Sequence, residues 1–123
     1  MEIILDSDVI ISILKGERIV TGRFMDILNG NRVFVSAVTV SEIMSISEEN
    51  EAAVIEKLFE LLNVLEVNRE IGKLAGKFLR ESRFSDVHIS TALIAASSAY
   101  HRFPVWTLKR DRYPMLEETL IVL

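Results

Sequence analysis

Five carboxylates occupy positions from which they could do chemistry. Asp6 and Asp8 interrupt an apolar run, Ile3-Ile4-Leu5-Asp6-Ser7-Asp8-Val9-Ile10-Ile11. Glu42 follows a second apolar stretch, Asp86 precedes a very apolar helical segment, and Asp111 sits among Lys109, Arg110 and Arg112. A carboxylate placed between apolar runs is costly to bury unless it is hydrogen-bonded, paired or bound to a metal. If Asp6, Glu42, Asp86 and Asp111 face one cleft, they repel one another. A divalent cation with oxygen ligands, Mg²⁺ or Mn²⁺, explains such a cluster best. Ions of this kind activate water and stabilise the charge that develops in phosphodiester cleavage. Every acid also has a simpler reading. Asp6 or Asp8 could cap a helix starting near Val9. Thr39-x-x-Glu42 matches a capping box. Ser85 or Asp86 could cap the following helix, and Asp111 could join a surface ion pair. Spacing alone leaves both readings open.

The elements that must position these groups follow from periodicity. Ile3-Ile4-Leu5 reads as a strand buried on both faces, as in a parallel sheet, with Asp6 at its end. Ligands of open parallel sheets sit beyond the carboxyl ends of the strands. A short helix from Val9 to Leu14 ends at Gly16, and Ile19, Phe24, Ile27 and Leu28 recur at helical spacing up to Asn29-Gly30-Asn31. Arg32 to Ser36 is a second strand and Thr39 to Ile46 a helix. Glu51 to Leu62 is amphipathic, Leu65 to Val67 a short third strand, and Ile71 to Leu79 another amphipathic helix. Val87 to Tyr100 is a helix whose centre, Ala92-Leu93-Ile94-Ala95-Ala96, is apolar all round and must be buried. Pro104 to Thr107 and Thr119 to Leu123 are a fourth and a fifth strand. Strands alternating with helices predict an α/β domain, its parallel sheet covered on both faces.

Composition narrows the classes. The chain has 123 residues, half of them hydrophobic, which fits one domain with a real core. With no cysteine, it has neither a disulfide framework nor a thiolate metal site, and a reducing, cytoplasmic setting is the expectation. The start lacks the basic region of a signal peptide, and no apolar run approaches the roughly 18 residues of a membrane helix. At a net charge of −4, a nucleic-acid partner must be met by a local basic patch. His88 and His101 are not at metal-pair spacing, Trp106 and Tyr100 read as core or edge residues, and no glycine-rich phosphate loop is present.

The motifs, taken together, resemble a known family. Ile-Leu-Asp-Ser-Asp-Val-Ile-Ile at the start, Ser36-Ala37-Val38-Thr39-Val40-Ser41-Glu42-Ile43, the alanine-rich Ala92 to Ala99 and the closing Trp106-Thr107-Leu108-Lys109-Arg110-Asp111-Arg112-Tyr113-Pro114 are similar, in order, to the motifs of PIN domains, the fold of VapC-type toxin ribonucleases. The resemblance implies a three-layer α/β/α sandwich around a parallel sheet of four to five strands. It implies a Mg²⁺- or Mn²⁺-dependent endoribonuclease, a homodimer, and a small antitoxin protein that holds the enzyme inactive. Asp6 and Glu42 match the first two metal-site acids, and Asp8 sits where members carry a short polar residue that helps bind the metal. Two positions depart from the pattern. The third acid falls in register on Thr91, and the fourth falls on Lys109; Asp86 and Asp111 are nearby acids out of register.

Two readings follow. In the first the chain is a nuclease. Asp6 binds the metal, Glu42 and Asp8 bind it or orient its water, and Asp86 or Asp111 supplies the missing charge. In the second it is a degenerate domain that binds RNA or a protein partner without cleaving, a reading favoured by Thr91 and Lys109. Asp6-Ser7-Asp8 also looks like the Asp-x-Asp start of haloacid-dehalogenase-like phosphatases, but the paired acidic motif with which those domains end is missing here.

Overall fold

The computed structural model describes residues 1–82 and 86–122. The chain opens with β1 (Glu2–Leu5), α1 (Ser7–Leu14), α2 (Arg18–Leu28) and β2 (Arg32–Ser36). It continues through α3 (Ala37–Ile46), α4 (Ala52–Glu60), β3 (Asn63–Leu65), α5 (Arg69–Glu81) and α6 (Ile89–His101). It closes with β4 (Val105–Trp106), 3₁₀ turns at Arg110–Arg112 and Glu118–Leu120, and β5 (Ile121–Val122). The predicted cap Ser85 and the last residue of the predicted fifth strand, Leu123, lie outside the described residues. No helix among those described is long and apolar enough to cross a membrane.

The five strands form one sheet in the order β3-β2-β1-β4-β5, and every pairing is parallel. The order explains the layers. From β1 the chain steps to β2 and then β3, and afterwards crosses back over the sheet to β4. Connections of one handedness that run in opposite directions must lie on opposite faces. Accordingly α1 to α4 pack on one face, where Ile3, Leu5, Val33 and Val35 meet Val9, Phe24, Ile43 and Ile55. On the other face Ile4, Phe34 and Val105 meet Ile94 and Ala95 of α6 together with Tyr113, Leu116 and Leu120. Helix α5 covers α6 through Ile71, Ala75, Ala92 and Ala96. Two-sided burial is why β1 reads as an unbroken apolar run, its side chains serving alternate faces.

The strand order reverses between β1 and β4, which makes this the topological switch point of the sheet. Backbone bonds from Ile4 N to the Pro104 carbonyl (2.8 Å) and from Asp6 N to the Trp106 carbonyl (3.0 Å) clamp the two strand ends together. Trp106 is buried, and the Arg23 guanidinium lies 5.2 Å from its ring centre.

Candidate functional site

A cleft of about 630 Å³ opens beyond the carboxyl edge of the sheet, lined by Asp6, Ser7, Glu42, Arg112 and the stretch Asp86 to Thr91 with Ile94. Each lining group arrives by a different route. Asp6 directly follows β1 and is only 2% exposed. It is the N-cap of α1: Oδ1 accepts from Ser7 N at 2.8 Å, while Oδ2 accepts from the Thr107 hydroxyl at 2.9 Å. The capping reading of Asp6 thus holds through Oδ1, and the residue also lines the cleft. Thr107 follows β4, is itself buried, and accepts from Lys109 N at 3.1 Å. It locks the ends of β1 and β4 to one carboxylate.

Glu42 does not close a capping box. Helix α3 begins at Ala37, two residues before Thr39, and Ser36 caps it by accepting from Val38 N at 3.1 Å. Glu42 therefore lies inside the helix, and its side chain turns to the cleft. Burial, then the Asp6 charge, raises its carboxyl above the ordinary range, while a hydrogen bond from Ser90 and the Arg112 charge pull the other way. Asp8 stands behind Asp6 and is not among the lining residues. Its Oδ2 accepts from Leu108 N at 3.1 Å and lies 3.3 Å from the Thr107 hydroxyl. Burial and the neighbouring Asp6 charge raise its carboxyl as well.

Asp86 is exposed on the cleft rim and is not the cap of α6, which starts at Ile89 with His88 at its N-cap position and no side-chain cap. Thr91 is half-buried in the first turn of α6 and lines the cleft. Asp111 and Lys109 are exposed on the turn after β4, and neither is a lining residue. His88 lines the cleft, whereas His101 lies at the far end of α6 against Tyr100 and Phe103.

Four contributors escape the sequence reading: Thr107, Arg112, Ser90 and Tyr113. Arg112 lines the cleft two residues beyond Arg110, on the turn that also carries Asp111. Tyr113 is buried next to Asp6, and burial first, then the Asp6 charge, holds its phenol far above the usual value, so it stays neutral. Its hydroxyl, the Asp8 Oδ1 and the Glu42 Oε1 are buried without a well-formed hydrogen-bond partner among the described residues. Buried polar atoms normally find a partner, so the orphaned Glu42 oxygen in the acidic cleft, with the Asp8 oxygen behind Asp6, is an atom that a cation would satisfy. The donor set is all oxygen, which suits Mg²⁺ or Mn²⁺. Among the described residues no three acidic or histidine side chains converge closely enough to hold an ion alone. Two carboxylates with water completing the shell remain compatible, since Mg²⁺ keeps several waters.

Solved structures share the architecture. The chain is similar to VapBC2 from Rickettsia felis bound to a promoter DNA fragment (TM-score 0.82, 14% identity, 98% of this chain and 96% of that one). It is also similar to a toxin–antitoxin complex from Klebsiella pneumoniae (TM-score 0.79, 15% identity, 97% and 98%). VapBC-1 from nontypeable Haemophilus influenzae aligns with TM-score 0.76 at 24% identity over 92% and 90%. No curated protein sequence matches significantly. The family model described as PIN domain matches residues 3–112, which takes in β1 with Asp6, α3 with Glu42, α6 and the turn bearing Arg112. With that span matched and the parallel sheet and its switch-point cleft in place, the chain belongs to the PIN domain family.

Proposed function

We propose that this PIN domain is a metal-dependent endoribonuclease of the VapC toxin type, hydrolysing RNA phosphodiester bonds with Mg²⁺ or Mn²⁺. The meeting of Asp6 and Glu42 in one cleft at the carboxyl edge of the sheet, with Glu42 Oε1 unpartnered, carries the reading. Asp6 and Glu42 would hold the cation, with Asp8 behind Asp6 adding charge and Asp86 on the rim able to orient water. The ion, when bound, supplies Lewis acidity and a more acidic water. Thr107 fixes the rotamer of Asp6, and Ser90 steadies Glu42. Asp111 would act only through its field.

The solved relatives include toxin–antitoxin complexes, and by that likeness a small antitoxin protein is the proposed partner, with the toxin itself a homodimer. Ile19, Val54, Leu61 and Val64 are at least half exposed, apolar surface that a protein partner could cover. A second reading, a domain that binds RNA or a protein without cleaving, is favoured by Thr91 standing in the cleft where the family places an acid.

Mn²⁺ titration calorimetry combined with cleavage of a generic single-stranded RNA tests the proposal. Saturable binding and cleavage, both lost in Asp6→Asn with the circular dichroism spectrum unchanged, is the expected result. RNA binding with no metal uptake by the wild-type chain would establish the non-cleaving reading. Equal cleavage by Asp6→Asn would remove the site altogether.

A further inference from the structure

The cleft carries a cation of its own. Arg112 is the one Lys or Arg among its described lining residues, facing the space shared by Asp6, Glu42 and Asp86. Its charge reaches Asp8, Glu42 and Tyr113 alike. Yet Arg112 forms neither of the two ion pairs among the described residues, which join Lys77 to Glu81 and Arg102 to Glu117. Other arginines are engaged elsewhere: Arg23 lies over Trp106 and Arg32 over Phe34. Arg112 is exposed, as are Lys109 and Arg110 beside it. In a chain of net charge −4, this turn is the local basic patch that a polyanion requires at an acidic cleft.

We propose that Arg112 is the phosphate ligand of the site, its guanidinium forking onto a backbone phosphate of single-stranded RNA at the cleft mouth. The inference rests on the nuclease reading for its choice of RNA, but not on metal binding or cleavage. The chemistry favours a phosphate over the resident acids. A guanidinium presents parallel donors that match two oxygens of one phosphate. Three acids from separate elements offer it no ion pair, so its donors remain available. A cation fixed in the same cleft also competes with a metal, so its removal should leave Mn²⁺ affinity unchanged or tighter.

The test uses the whole chain and a fluorescently labelled mixed-sequence 12-mer RNA, with anisotropy read in EDTA at several salt concentrations. Arg112→Gln should weaken binding about tenfold and make the log–log salt slope shallower by roughly 0.7, the value for one single-strand phosphate contact. Arg112→Lys should restore the slope and only part of the affinity, because charge survives without the fork. Mn²⁺ affinity of Arg112→Gln, measured without RNA, should not fall. Affinity within twofold of wild type with an unchanged slope overturns the proposal, as does a wild-type chain that binds no RNA in EDTA. An Arg112→Lys variant as weak and as shallow in slope as Arg112→Gln also overturns it, since the loss would then come from packing. Weakened RNA binding by Arg112→Gln in a chain that never cleaves would uphold the clamp and end the nuclease reading. Cleavage with an indifferent Arg112→Gln would do the reverse.

Discussion

Thr107→Val removes the hydroxyl that joins the two strand ends through Asp6 while keeping the side chain's shape. The hydroxyl donates to the Asp6 carboxylate at 2.9 Å, and both groups are almost wholly buried. A hydrogen bond to a charged group contributes about 1.5–3 kcal/mol, and here the acceptor Oδ2 belongs to a buried carboxylate that would lose it. Lys109 N loses its acceptor at the same time, but Lys109 is exposed, so water can replace that bond at little cost. The expected loss is thus about 2 kcal/mol, or roughly 8 °C in melting temperature at about 4 °C per kcal/mol for a domain of this size. Urea unfolding at pH 7 in metal-free buffer, run for wild type, Thr107→Val and Thr107→Ser, measures it. Serine keeps the donor and should recover most of the loss. If Thr107→Val lies within about 0.5 kcal/mol of wild type, Asp6 is not held by this bond. If Thr107→Ser, which keeps the donor, falls as far as Thr107→Val, the hydroxyl does not account for the loss and the reasoning fails.

Two other perturbations probe the acids. Asp8 and Glu42 both have raised carboxyl values, so the folded chain holds protons more tightly than the unfolded one. Their effect on stability is therefore unfavourable at neutral pH and fades as the pH falls through the raised values toward the ordinary 3.8 and 4.5. Asp8→Asn keeps an acceptor for Leu108 N and sheds the charge; it should equal or exceed wild type by on the order of 0.5 kcal/mol at pH 7. That advantage should vanish by about pH 4, and paired urea titrations showing it grow instead would refute the assignment. Thr91→Asp adds a carboxylate in the first turn of α6, where the helix dipole favours it. Mn²⁺ affinity should rise about tenfold, the equivalent of 1.4 kcal/mol; calorimetry returning an unchanged affinity would mean that position 91 does not address the metal.

The features legible in the sequence are those that local burial writes. Strand β1 and its terminal Asp6 are readable because both faces are covered, which forces an unbroken apolar run. Edge strand β3 is not: predicted at Leu65 to Val67, it pairs through Asn63 to Leu65, with Val64 half exposed and Val67 outside the ladder. A three-residue strand with only Leu65 buried is too short to write an alternation, and the bond from Asn63 Nδ2 to the Val33 carbonyl, at 3.2 Å, joins the edge strand to its neighbour. The capping box failed because Ser36, a closer hydroxyl, starts α3 one turn early, which frees Glu42 for the cleft. Likewise, His88 at the N-cap position of α6 leaves Asp86 on the rim. Thr107, Ser90, Tyr113 and Arg112 gain their roles only when α6 and the turn after β4 come against the end of β1. No window of adjacent residues contains that information.

The bond between Asp6 and Thr107 spans 101 positions of sequence, and every strand pair is parallel, so no hairpin forms early. Long loops must close before these pairings repay their entropy, which makes such folding slow. During synthesis at about 5–20 residues per second, Asp6 waits about 5–20 s for its hydroxyl partner to be made. Through that interval β1 has β2 beside it but an open flank where β4 belongs, and the cleft has no wall on that side. The site is consequently a late product of translation: a ribosome-bound fragment can own Asp6 and Glu42 and still lack the place where they meet.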